Sequence, residues 1–99
     1  IDPCNSILID SLGGFICTSL NKDQDYWKLK EKELIDSLIN YPSLVVIVVE
    51  EVGWGLVSST ETGNIFRDRI GTLSRKLSSI SSESWLVLHG KAINLTKVK

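Results

Sequence analysis

The sequence predicts an α/β fold built on a parallel sheet, and three observations carry that expectation. Apolar, largely β-branched runs at 6–9, 44–49 and 85–88 are separated by charged stretches whose apolar residues recur at helical spacing. The central run, Leu44 to Val49, has no polar alternation, the pattern of a strand covered on both faces. Strands that alternate with helices give βαβ units with right-handed crossovers.

The elements follow in order. Ser6 to Ile9 forms the first strand and ends at Asp10. From Asp23 to Asn40 charges alternate with Trp27, Leu34, Ile35, Leu38 and Ile39 at helical spacing, and Pro42 stops the helix. The central strand runs into a Gly53-Trp54-Gly55 loop. Ser58 and Glu61 then have capping-box spacing, and Phe66, Ile70, Leu73, Leu77 and Ile80 share one helical face. Trp85 to Leu88 forms the last long strand, and Lys91 to Leu95 adds a short fourth. With no repeat, low-complexity tract or linker, residues 1–99 are expected to form a single α/β domain. The chain opens at Ile1 without an initiator Met and enters a strand within a few residues, so it reads as a fragment of something longer.

Composition excludes several classes of function. Eleven Lys and Arg against 12 Asp and Glu give a formal charge of −1, which offers no sequence-independent grip on a phosphate backbone, so no nucleic acid partner is expected. Cys4 and Cys17 form no C-x-x-C pair and His89 lies far from both, which argues against a zinc site or a disulfide scaffold. No apolar run approaches the roughly 20 residues needed to span a bilayer, and no leader pattern opens the chain. A reduced, cytoplasmic protein is the expectation.

In open α/β sheets ligands bind beyond the carboxyl ends of the strands. Parallel pairing of the first two strands would bring Asp10 and Glu50 to one edge. An acid placed there can face magnesium, a hard cation that takes one or two carboxylates together with substrate phosphates. Asp10 is the better candidate, directly or through water, because Ile7-Leu8-Ile9-Asp10 is an apolar run closed by an aspartate. A plain capping or loop aspartate explains the same pattern. Glu50 and Glu51 would position a water or a metal, or would simply be solvated. Trp54 between glycines would stack on a flat ligand or anchor its own loop. Arg67, Arg69 and Arg75 would reach phosphates or form a solvated helix face. His89 reads as a satisfied structural imidazole rather than a catalytic base.

The stretch from Glu50 to Leu95 also carries a resemblance. Glu51, Val52, Gly53, Gly55, Leu56 and Val57 match an E-V/T-G-x-G-I/L-V core, and Phe66, Arg67, Asp68 and Gly71 match an F-R-D-x-x-G helix. On these residues the chain resembles the carboxyl-terminal part of the adenosylcobinamide kinase and adenosylcobinamide-phosphate guanylyltransferase family of cobalamin biosynthesis. Residues 7–16 are similar to that family's strand with a terminal acid.

The resemblance implies a P-loop NTPase-like (RecA-like) fold, of which this chain would be the carboxyl-terminal half of a nucleotide-binding domain. It implies kinase and guanylyltransferase steps with ATP and GTP as substrates, Mg2+ as cofactor, adenosylcobinamide as the second substrate, and a homo-oligomer. It places Asp10 near nucleotide and Mg2+, and Glu50, Glu51, Gly53, Trp54, Gly55 and Arg67 on the substrate side.

The chain departs from the family where the chemistry is densest. It contains no G-x-x-x-x-G-K-S/T, and Gly13-Gly14 lacks both the lysine and the spacing. The family's guanylylated histidine belongs to the other half, and His89 is in the wrong region to replace it. These 99 residues alone are therefore expected to hold no catalytic residue. Ser58-Ser59 and Ser74 also depart from the residues common in the family. The strand that leads into the phosphate loop would lie between 44–49 and 85–88, so the chain alone is expected to expose strand edges and to associate. A non-catalytic α/β remnant or partner-binding module is the alternative, and a complete small enzyme on Glu50, Glu51 and His89 is a third reading.

Overall fold

The computed structural model describes residues 5–49 and 60–96. The order is β1 (Ile7–Asp10), α1 (Leu12–Cys17), α2 (Gln24–Ile39), β2 (Val45–Val48), α3 (Glu61–Ile80), β3 (Trp85–Leu88) and β4 (Lys91–Asn94). β1 and β2 pair in parallel, with Ile7 opposite Val45 and Asp10 opposite Val48. β3 and β4 form an antiparallel hairpin. Among the described residues these are two separate two-stranded sheets.

α2 starts where Asp23 accepts a hydrogen bond from the Tyr26 N–H at 2.9 Å, filling one of the donors that a helix leaves open at its first turn. α3 starts at Thr60, whose hydroxyl accepts from the Gly63 N–H at 3.0 Å. This corrects the capping box expected from Ser58 and Glu61: Thr60 occupies the cap position directly, and Ser58 lies outside the described residues. The β3–β4 turn passes through His89 at φ 50° and Gly90 at φ 77°. Two consecutive left-handed residues match the right-handed twist of a two-residue hairpin.

The core lies among the helices. Leu12 and Ile16 of α1, Trp27 of α2, and Ile70, Leu73 and Leu77 of α3 are buried, and the Phe15 and Trp27 rings meet at 5.9 Å. Each such side chain contributes about 1.5–3 kcal/mol through burial. Ile47 and Val49 pack β2 against this cluster.

Among the described residues the β1–β2 sheet is covered on one face only, contrary to the expectation for 44–49. Val46 and Val48 keep 47% and 42% of their surface exposed, and Leu8 of β1 keeps 66%. An unbroken apolar run therefore did not mean two-sided burial; residues still alternate in and out with the pleat. A second difference concerns residues 12–17, for which the sequence pattern predicts no element. They form α1 despite Gly13 and Gly14, because Leu12 and Ile16 are driven fully into the core.

Candidate functional site at the sheet edge and the helix cleft

The parallel register brings the carboxyl ends of β1 and β2 to the same edge. Asp10 closes β1 there, exposed to solvent. Its position is fixed from both directions, by pairing with β2 and by the burial of Leu12 two residues later. β2 leaves the sheet toward residue 50. Glu50, Glu51, Gly53, Trp54 and Gly55 lie outside the described residues. Arg67 is half buried in α3.

Among the described residues no cluster of three His, Cys, Asp or Glu side chains forms a ready metal cage. Of the carboxylates expected to face Mg2+, only Asp10 is among the described residues, and it is exposed at the strand end. His89 is exposed at the hairpin turn.

The sequence reading missed a second polar feature. Gln24, Trp27, Lys28 and Glu31 share one face of α2 and meet a face of α3 bearing Asp68, Arg69, Thr72 and Lys76, across a cleft of about 510 Å³. Arg69 was expected on a solvated face, but it is only 5% exposed. Its Nη1 donates to the Ser19 carbonyl at 2.8 Å and its Nη2 to the Lys22 carbonyl at 2.9 Å, while the guanidinium lies 5.4 Å from the centre of the Trp27 ring. Glu31 is buried to 3% exposure and is paired with the Lys76 ammonium. Glu31 Oε2 and Arg69 Nε have no hydrogen-bond partner. On the outer side of α2, Asp36 accepts from Lys32 at 2.8 Å and raises the pKa of that ammonium.

A signal for both buried charges was present. Glu31 stands four residues after Trp27 and four before Ile35, inside the apolar stripe of α2; Arg69 stands three after Phe66 and four before Leu73 in α3. A charge inside an apolar stripe must be buried or must bend the stripe away.

The family model described as cobinamide kinase / cobinamide phosphate guanyltransferase matches residues 2–95. The chain belongs to that family. Two curated relatives, each called bifunctional adenosylcobalamin biosynthesis protein CobU, are 29% identical in Escherichia coli K12 and 34% identical in Salmonella typhimurium LT2. The alignments cover 96% and 94% of this chain but 60% and 59% of those proteins, so the chain spans about three fifths of their length. Family membership supports a role in adenosylcobalamin biosynthesis. No helix among the described residues is long and apolar enough to cross a membrane.

Proposed function

We propose that these residues form the carboxyl-terminal part of a P-loop NTPase-like enzyme that phosphorylates adenosylcobinamide and then transfers GMP from GTP to the product. The observation that carries this reading is the parallel β1–β2 register, which sets Asp10 and the chain leading to the E-V-G-x-G motif at one sheet edge in a member of this family. Asp10 serves the nucleotide and its Mg2+, directly or through water. Glu50, Glu51, Gly53, Trp54, Gly55 and Arg67 serve the substrate side. A glycine-rich phosphate loop, absent from these 99 residues, supplies the remaining phosphate contacts from elsewhere in the enzyme.

Two features support a sheet completed by further polypeptide. Among the described residues β1–β2 and β3–β4 are each two-stranded, smaller than the usual sheet of about four to six strands. Leu8, Val46 and Val48 also expose one apolar face. A homo-oligomer, as the family resemblance implies, would be one source of that polypeptide, and a cytoplasmic location, expected from composition, belongs to the same reading.

Asp10→Ala in the native protein tests the assignment. Nucleotide turnover should fall by about 100-fold or more, the scale expected when a carboxylate that holds the catalytic metal is removed, with a cooperative unfolding transition retained. Unchanged turnover removes Asp10 from the site. A second reading is a non-catalytic module that kept the family fold. A native protein with no cobinamide-dependent nucleotide turnover establishes that reading instead.

A further inference from the structure

The cleft between α2 and α3 is unusual for a helix–helix contact. Its walls are stripes of one face each, yet they are lined by Lys22, Lys28, Arg69 and Lys76 against Asp23, Glu31 and Asp68. Facing helices ordinarily close on apolar side chains. Here the Glu31–Lys76 pair joins α2 to α3, and the Arg69 fork joins α3 to the 19–22 turn that leads into α2, beside a polar space.

Two side chains of this lining leave a mismatched pair of atoms. Arg69 Nε–H is a donor without an acceptor, and Glu31 Oε2 is an acceptor without a donor. Burying either one unsatisfied is costly, so a group that offers both an acceptor and a donor gains from binding them. Glu31 and Arg69 are both more than nine-tenths buried, which restricts where such a group can sit.

We propose that this cleft binds a small oxyanion that carries its own hydrogen-bond donor, namely hydrogen phosphate or a phosphate monoester. None of the lining residues belongs to the sheet edge, so the site is separate from the one assigned to nucleotide. The cations draw the anion in, and Lys76 offsets the charge of Glu31 that would otherwise repel it. The oxyanion oxygens accept from Arg69 Nε–H, and its P–O–H donates to Glu31 Oε2. Neither atom is reached by solvent as the cleft stands, so the bound group must shift the side chains above them. Sulfate has the same shape and charge but, near neutral pH, no proton to donate, and Glu31 rejects it.

The test is a titration of the native protein with inorganic phosphate and, separately, with sulfate at matched ionic strength. The readouts are the side-chain N–H signals of Arg69 Nε and the Trp27 indole. Phosphate should shift Arg69 Nε–H saturably with a Kd on the order of 1 mM, and sulfate should bind at least about tenfold more weakly. Glu31→Gln replaces the acceptor with a donor and should reverse that preference. Lys28→Ala, at an exposed position, should weaken phosphate binding several-fold and leave the preference intact.

Equal binding of the two anions, an Arg69 signal that ignores phosphate, or a Lys28→Ala affinity equal to that of the native protein each overturns the proposal. The native comparison and Lys28→Ala decide it even if Glu31→Gln unfolds. Glycerol phosphate binding more tightly than inorganic phosphate assigns the site to a monoester, and weaker binding assigns it to the free ion. Asp10→Ala should leave the Arg69 shift unchanged, which separates this site from the proposed catalytic edge.

Discussion

Arg69→Met tests the argument that a buried cation ties the chain between α1 and α2 to α3. The substitution keeps much of the apolar stem and removes both guanidinium bonds, at 2.8 and 2.9 Å, to the Ser19 and Lys22 carbonyls. A hydrogen bond to a charged group contributes about 1.5–3 kcal/mol, and the Trp27 contact adds about 0.5–1 kcal/mol. Part of this is returned, because a buried charge and its unpaired Nε–H disappear together. A net loss of about 3 kcal/mol results. With a urea m-value of about 1–3 kcal/mol/M, the midpoint falls by roughly 1–3 M. Arg69→Lys should recover less than half of the loss, because one ammonium cannot reproduce the planar fork. Equilibrium urea unfolding of the native protein and both variants is the assay. A midpoint shift under about 0.3 M for Arg69→Met at unchanged m would refute the reasoning.

Further outcomes follow from one-sided burial and from the helix cap. Val46→Thr, on the exposed face of β2, should change stability by less than about 0.5 kcal/mol, whereas Ile47→Thr sets a hydroxyl against the core and should cost about 1–3 kcal/mol in urea unfolding. Equal costs at the two positions would rule out the one-sided sheet. Thr60→Ala removes the acceptor for Gly63 N–H and should cost about 1 kcal/mol, read as reduced helical circular dichroism and a lower midpoint.

Much of the fold was legible because local pattern and burial agree. Trp27, Ile70, Leu73 and Leu77 are core residues at the helical spacing read from the sequence. Asp23 stood at the head of the expected helix and caps α2. α1 was not legible, since two glycines in six residues oppose helix formation; only burial of Leu12 and Ile16 against α3 overrides that cost, and tertiary contacts are invisible to propensity. Periodicity also could not say how many layers cover a strand, because Val and Ile are as common on a half-buried strand as on a buried one. Of the site, the shared edge of Asp10 and β2 was readable from the expected parallel pairing. The Arg69–Glu31 cleft was not, although each charge interrupts an apolar stripe. Only the three-dimensional pairing of α2 with α3 shows that the two interruptions face the same space.

The placement of Asp10 depends on packing far from the edge itself. Ile47 and Val49 fix β2 on the helical core, and the register transmits that position to β1. On the other side of Asp10, α1 begins at once and anchors Leu12 and Ile16 against α3, the helix that Arg69 also ties to the 19–22 turn. A carboxylate delivered by a paired strand and followed by a buried helix has less freedom than one on a loop, which a metal–phosphate site requires. Loosening Arg69 should therefore reach Asp10 only through α1 and α3, by way of stability rather than chemistry. Asp10→Ala should act in the opposite way, because an exposed strand-end carboxylate has little packing to lose.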